Sequence, residues 1–172
     1  QLNNGRIQVP PELFLLDKVQ GKVIWTEGRL LGEEISARLG TSAARSGKLT
    51  LGLADGSNAF ALDTNLSADL TQLPAILKKL ISDTSSLNLL KRLPPFSGHA
   101  DGRLILGDRL NRIRATVIAE GNVQLLDAAV AVSAHLEDIP APSTRVEISG
   151  KGDLGPQSLD WLGQWGNISN DV

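Results

Sequence analysis

The chain has 172 residues, enough for one domain with a hydrophobic core or for two small repeated units that share a core. Its 17 Lys and Arg against 19 Asp and Glu give a formal net charge of −2, so it lacks the single-sign field that attracts nucleic acid or an anionic membrane surface. The absence of Cys excludes disulfides and Cys-based metal or redox sites, and every apolar run is far shorter than the ~20 residues of a membrane-spanning helix.

The first 20 residues predict a leading strand followed by a turn or a brief helix. Two consecutive prolines, Pro10 and Pro11, bias Val9 toward an extended backbone. From residue 21 onward the segments GKVIWT, GRLLG and EEISARLG each predict a strand.

A longer alternating stretch follows from residue 47. Apolar residues recur at every second position over Leu49–Leu53 and, for the most part, over Phe60–Leu70, which is the period of a strand with one buried face. Asp55-Gly56 lies between these runs and is a common hairpin turn, because glycine accepts positive φ. Residues 47–70 therefore predict an antiparallel hairpin.

The apolar period then changes from that of a strand to that of a helix. The apolar residues of 71–83 fall on one helical stripe: Leu73, Ile76, Leu77, Leu80 and Ile81. We expect Thr71 to cap this amphipathic helix and Pro74 to lie in its first turn. A second short helix is predicted over residues 86–93.

The same order of elements follows in the second half. The segments FSGHADGRLILG, RLNRIRATVIAEG, NVQLLDAAVAVSAHL and STRVEISGKGDL predict a meander of neighbouring antiparallel strands. The turns between them are expected at Gly107-Asp108, Gly121-Asn122 and Pro140-Ala141-Pro142. Gly155-Pro156 then predicts the start of a helix, with proline at the first helical position.

The junction between strand and helix thus occurs twice in the sequence. Asp69-Leu70 and Asp153-Leu154 each end an alternating stretch and precede a helix, 84 residues apart. Because a whole order of strands and helix recurs, the sequence predicts two copies of one unit, residues 21–95 and 96–172, after the leading segment 1–20 and within one continuous domain. Each Asp is expected at a helix N-terminus, which favours a carboxylate.

Motifs for catalysis are missing. The sequence has no Gly-x-Ser-x-Gly elbow and no P-loop, and its glycines are expected at turns rather than in a dinucleotide-binding loop, which counts against hydrolase, nucleotidase and dehydrogenase functions. His99 and His135 lie in separate strand segments without a second ligand at metal spacing, so we expect strand-face histidines without a catalytic role. We therefore predict that the protein is not an enzyme and uses no cofactor or metal.

The stretch GEEISARLGTSAARSGKLTLGLADGSNAFALDTNLSADLTQLPAIL combines Leu-rich alternating strands, a small-residue turn Ser46-Gly47-Lys48, an extended strand and an immediate helix. Two further segments show similar features: GHADG, which opens a strand, and GKGDLGPQSLDWL, in which a strand is followed at once by a helix at the end of the second unit. In these features the chain resembles the AsmA-like superfamily of large bacterial envelope proteins, which includes the TamB and YhdP groups. The likeness spans residues 20–165 and contains no catalytic motif.

The resemblance implies a β-rich α+β fold, in which curved antiparallel sheet repeats form a half-open, taco-like groove and a short amphipathic helix follows the last strand of each unit. It also implies a periplasmic protein anchored in the inner membrane that moves phospholipid between the inner and outer membranes or serves outer-membrane biogenesis. Because the chain begins at Gln1, contains no Met and shows no anchor, we expect it to be a fragment of such a protein.

The predicted lipid-binding groove is one strand face. An aliphatic surface suits an acyl chain, since contact removes apolar area from water at ~25 cal/mol per Å² and requires no directional hydrogen bonds. The candidate lining residues, which would equally suit an ordinary closed core, are Leu49, Leu51, Leu53, Phe60, Leu62, Leu66, Leu104, Leu106, Ile113, Val117, Leu126, Val130, Val132, Val146 and Ile148.

Two other functions stay open at the level of sequence. A structural or protein-interaction module would use strand edges, or the helix carrying Trp161 and Trp165, to dock neighbouring repeats or other envelope proteins. A carbohydrate-active domain would need two carboxylates facing each other across a cleft, with Asp101, Asp108 and Asp127 as candidates. We expect an acyl-chain ligand such as phospholipid as the main partner, and no nucleic acid.

Overall fold

The protein is described by a computed structural model in residues 1–9, 14–53, 58–80, 88, 91–109, 112–139 and 145–168. Nine antiparallel strands pair in chain order to form one curved sheet, in which β1 and β9 are the two edges and do not pair with each other. A few short helices follow the strands, so the predicted β-rich class is confirmed.

The strands are β1 (Leu2–Val9), β2 (Phe14–Thr26), β3 (Arg29–Leu39), β4 (Ser42–Gly52), β5 (Phe60–Asp69), β6 (Phe96–Arg109), β7 (Arg112–Leu125), β8 (Ala128–Ile139) and β9 (Arg145–Asp153). The helices are a short 3-10 helix (Leu70–Gln72) that leads into α1 (Leu73–Leu80), and α2 (Pro156–Ile168). The sheet is a meander because every strand pairs with its neighbours in sequence.

Strands in the first half are longer than the sequence predicted, because β-bulges let strand pairing continue at positions where the sequence predicted a turn. GRLLG and EEISARLG form the single strand β3, with Glu34 at a φ of 53° where the register shifts. The turn expected at Ser46-Gly47-Lys48 lies inside β4 instead: Ser46 has a φ of 55°, and Gly47 is buried opposite Ile35. A bulge accommodates an additional residue without ending the strand.

Two of the turns expected in the second half are also wrong. β6 runs through Gly107-Asp108, and β7 runs through Gly121-Asn122; the chain reverses at Leu126-Asp127, where Leu126 has a φ of 54°. Gly121 serves strand packing, because an added Cβ would lie 2.3 Å from the carbonyl oxygen of His99 on β6. The turn predicted at residues 140–142 falls outside the described residues.

The opening of the chain is a hairpin of two strands. The turn or brief helix expected after Val9 falls on residues 10–13, outside the described range, and β2 then runs without interruption from Phe14 to Thr26. Lys18 has a φ of 53° at a register shift between β2 and β3. The predicted boundary between the leading segment and the first unit, at residues 20 and 21, therefore lies within β2.

Helix positions follow the sequence pattern closely. α2 begins at Pro156 as predicted, and Pro74 lies in the first turn of α1. The N-cap before α1 is Asp69 rather than Thr71: the Asp69 Oδ1 atom accepts from the Thr71 backbone N–H at 3.0 Å. Within the second predicted helix, 86–93, the described residues 88, 91 and 92 are helical.

Candidate functional site

Strand register divides the side chains of the sheet between an apolar face and a polar face. One row of paired residues crosses five strands through Leu49, Leu62, Leu106, Ala115 and Ile139. Residues that pair directly across an antiparallel ladder project to the same side of the sheet. This row, together with the rows that lie two residues away along each strand, defines the apolar face.

Most of the predicted lining residues share this face. Leu126 is the clear exception, because it lies in the turn between β7 and β8 and is 44 % exposed. Leu53 lies one residue beyond the end of β4. The predicted residues that register and alternation place on the apolar face are Leu49, Leu51, Phe60, Leu62, Leu66, Leu104, Leu106, Ile113, Val117, Val130, Val132, Val146 and Ile148.

The apolar face also extends over β2 and β3, which the sequence prediction had left out. One row runs Trp25, Leu30, Leu51 and Phe60 across β2 to β5. The bulge at Glu34 shifts the alternation of β3 by one residue. Its apolar phase resumes at Ile35 and continues to Leu39, a signal that is visible in the sequence only once the bulge is known.

The described residues include no layer that covers the apolar face. Val19 and Ala128 are the only buried apolar side chains among them, and on β9 Val146 and Ile148 are 55 % and 66 % exposed. Within that same part of the chain neither α1 nor α2 packs broadly on a strand. The chain exposes 11606 Å², whereas a closed monomer of 18.3 kDa is expected to expose about 8,100 Å².

One polar side chain, Thr64, lies at the centre of the apolar face. It is 4 % exposed, and its hydroxyl donates to the carbonyl oxygen of Arg45 at 3.0 Å. Arg45 is the last paired residue before the register shift in β4. The hydroxyl therefore satisfies a backbone acceptor at the bulge, and the face keeps its apolar character.

The opposite face is polar. A row through Ser67, Asp101, Glu120, Ser133 and Ser149 crosses β5 to β9 on this side. An open trough of about 1040 Å³ lies along these strands. Charged and hydrophilic side chains thus predominate on the side of the sheet that faces away from the apolar face, although Ile24, Ile105 and Ile118 also project from it.

Ser67, His99 and Asp101 form a small cluster beside this trough. The Nε2 atom of His99 lies 3.0 Å from Ser67 Oγ and 3.2 Å from Asp101 Oδ1. In a Ser-His-Asp triad the hydroxyl and the carboxylate contact different ring nitrogens, so this cluster lacks the geometry that activates a serine. Hydrogen bonds from Ser67 and His99 hold the pKa of Asp101 below its usual range.

The three carboxylates proposed for sugar chemistry lie apart from one another. Asp101 projects from the polar face in the middle of β6, whereas Asp108 lies near the end of that strand at a φ of 92°, where Arg112 donates to it at 2.7 Å. Asp127 lies in the turn between β7 and β8. Asp101 and Asp108 therefore do not face each other across a cleft as a glycosidase pair would.

A glycine pattern typical of dinucleotide-binding loops, Gly-x-Gly-x-x-Gly, is present at residues 150–155, between β9 and α2. In such loops the pyrophosphate binds at a free helix N-terminus after a parallel strand. Here β9 is antiparallel, and the N–H groups of Gln157 and Ser158 each donate to the Asp127 carboxylate at 2.9 Å. The protein's own carboxylate fills the anion position.

Further features bear on membrane and metal binding. Among the described residues no helix is long and apolar enough to span a membrane, and no group of three or more His, Asp or Glu side chains is placed to hold a metal ion. Comparison with protein-family models, curated proteins and solved structures finds no match. The resemblance to the AsmA-like superfamily stays a prediction, and the apolar face of the sheet is the candidate functional site.

Proposed function

We propose that the apolar face binds the acyl chains of phospholipid, as part of an AsmA-like periplasmic protein that moves lipid between the inner and outer membranes. The observation that supports the proposal is an apolar surface that continues from β2 to β9 without a covering layer in the described part of the chain. An apolar surface of this extent is characteristic of a binding surface.

The chemistry of the face suits a chain that slides. Its side chains are mostly Leu, Val, Ile and Ala, which offer contact without directional bonds. Each methylene moved from water onto such a surface gains about 0.8 kcal/mol. A strand of ten residues is roughly 33 Å long, which exceeds the ~15 Å that one lipid tail spans in half of a bilayer core.

The apolar face suits the tails of a lipid and leaves its head group outside. Tails on the apolar side lose contact with water, while a head group stays in solvent at the sheet margin. The single buried polar group of the apolar face, the hydroxyl of Thr64, is already bonded to the Arg45 carbonyl. The described part of the face therefore presents no unpaired polar group to a passing tail.

Native mass spectrometry of the purified chain, delipidated and then reloaded with phospholipid, tests this function. The variant Leu62→Glu/Leu106→Glu places two charges on one row of the apolar face, and the control Ala61→Glu/Ala131→Glu places two on exposed positions of the polar face. We expect lipid-bound masses for the wild type and the control and their loss in the first variant. Failure of the wild type to bind lipid, or equal loss in both variants, overturns the proposal.

A second candidate function, docking of a neighbouring repeat or envelope protein, is favoured by the edge strand β9. All nine of its residues are exposed, and its pairing with β8 has no bulge. A regular open edge invites another strand. Mass that rises with protein concentration without bound lipid, and that a proline introduced into β9 abolishes, would favour docking over lipid binding.

A further inference from the structure

Three cationic side chains without ionic partners meet on the polar face at β2, β3 and β4. Lys18, Arg38 and Arg45 line a cavity of about 290 Å³, together with the neutral side chains of Gln20 and Ser36. We call these five residues the basic cavity. It lies on the side of the sheet opposite the apolar face, so it does not rest on the function proposed above.

The carboxylates of the same strands form ion pairs with other cations, although Asp17 lies directly across the ladder from Arg38. Asp17 of β2 is paired with Arg6 at 2.9 Å, and Glu34 of β3 is paired with Lys22 at 3.1 Å. Glu33 lies directly across the ladder from that same Lys22. Among the described residues no ion pair or hydrogen bond joins the side chains of the three cations to a partner.

One more carboxylate acts on the cavity from a distance. Asp101, on β6, is hydrogen-bonded to Ser67 and His99, and Arg45 adds a weaker attraction that also lowers the Asp101 pKa. This attraction is the least of the causes that lower it. Three like charges at one site repel one another unless an anion joins them.

Bulges in the flanking strands assemble the cavity. The register of β2 shifts at Lys18, whose φ is 53°, and the register of β4 shifts next to Arg45, at Ser46. Gln20 and Ser36 pair directly across the ladder between β2 and β3. The irregularities redirect charged side chains around two neutral hydrogen-bonding groups, as bulges beside binding sites commonly do.

We propose that the basic cavity binds a small oxyanion of the phosphate class, either a soluble phosphate compound or the phosphate of a lipid head group. The two guanidinium groups present planar donor pairs that match phosphate oxygens, and Lys18 adds a third positive charge. Gln20 and Ser36 supply neutral donors. The volume is at the lower limit of small-molecule sites, which run from about 300 Å³, so a compact anion is favoured.

Titration of the whole chain with inorganic phosphate, followed by NMR shifts of the backbone amides, tests the site. The variant Arg38→Gln/Arg45→Gln removes two charges from the cavity, and the control Arg29→Gln/Lys151→Gln removes two exposed charges elsewhere on the polar face. We expect saturable shifts in β2 to β4, an affinity at least tenfold weaker in the first variant, and a change below twofold in the control.

Vesicles distinguish the two sources of phosphate. Flotation is compared for vesicles of phosphatidylcholine alone and of phosphatidylcholine with phosphatidic acid. Capture that requires phosphatidic acid and is lost in Arg38→Gln/Arg45→Gln supports a head-group ligand, and phosphate binding without capture supports a soluble one. Absence of saturable phosphate binding, or equal weakening by the two double variants, overturns the proposal.

Discussion

The carboxylate of Asp127 holds the first turn of α2 through Ser158. Asp127 Oδ1 lies 2.9 Å from the Ser158 backbone nitrogen and 2.5 Å from its hydroxyl oxygen, and Ser158 is 1 % exposed. The helix that follows β9 is thereby tied to the turn between β7 and β8. In the first half, Thr41 of the turn between β3 and β4 donates to Asp69 at 2.6 Å, just before the 3-10 helix. The two-unit hypothesis stays a prediction.

Substitution of Asp127 tests which carboxylate anchors α2. In Asp127→Asn the first-turn N–H groups lose their charged acceptor, and we expect amide hydrogen exchange at residues 157 and 158 to become about fivefold faster. Asp153→Asn is the matched control, because the sequence pattern placed Asp153 at this helix start whereas the hydrogen bonds come from Asp127. Faster exchange in Asp153→Asn and none in Asp127→Asn would reverse the assignment.

Acidification should weaken the same hydrogen bonds between the Asp127 carboxylate and the first turn of α2. The hydroxyl of Ser158 and the N–H groups of residues 157 and 158 hold the Asp127 pKa below its usual range. A carboxyl with a lowered pKa in the folded state stabilises that state above its unfolded pKa, about 3.9, and loses this contribution as the pH falls through the folded value. We expect the NMR amide shift of Ser158 to be constant near neutrality and to titrate below about pH 4, a step that is missing in Asp127→Asn. A step above that range would contradict the account.

Gly102 sets how closely β6 and β7 approach each other on the apolar face. An added Cβ would lie 2.3 Å from the Ile118 carbonyl oxygen and 2.8 Å from the Ala119 Cβ, both in a neighbouring strand. We expect Gly102→Ala to lower the free energy of unfolding in urea by about 2 kcal/mol, since backbone must move to admit the methyl group. Gly107→Ala on the same strand is the control: its nearest neighbour, the Phe60 carbonyl oxygen, lies 3.9 Å away. Equal losses would show that crowding is not the cause.

The Thr64 hydroxyl is expected to matter for stability although it interrupts an apolar surface. Thr64→Val keeps the shape but leaves the Arg45 carbonyl without its 3.0 Å bond, so we expect a loss of about 1–2 kcal/mol in unfolding free energy. Thr50→Val, at an exposed position of the neighbouring strand, should change stability by less than about 0.5 kcal/mol. A Thr64→Val protein as stable as the wild type would mean that the bulge does not need this bond.

The sequence predicted well those features that local period and local turn chemistry determine. The alternation of Phe60–Asp69 predicted β5, and proline at position 156 marked the start of α2. The sequence did not predict the bulges, because Glu34 and Ser46 are residue types without a local preference for positive φ. Pairing with neighbouring strands imposes that conformation on them. Asp127 escaped prediction for a related reason: its partner Ser158 is distant in sequence, and a carboxylate in a turn has no local signature of a remote cap.

The apolar face itself was predictable in part. In β5 to β8 period-two alternation placed Leu62 and Leu106 on one side, as register shows. Which side of β2 and β3 joins them depended on bulges that shift the phase. Whether a second layer covers the face is a tertiary property, and period two is the same for an open groove and a closed core.

Photo-crosslinking at two adjacent residues of β5 tests whether lipid lies on the apolar face of the sheet. Leu62 projects from the apolar face and Ala61, the matched control, from the polar face. A photoreactive residue is introduced at each position, the protein is irradiated with phospholipid, and lipid adducts are measured by mass spectrometry. We expect adducts at position 62 and few or none at position 61. No adduct at either position, or equal yields at both, would contradict this expectation.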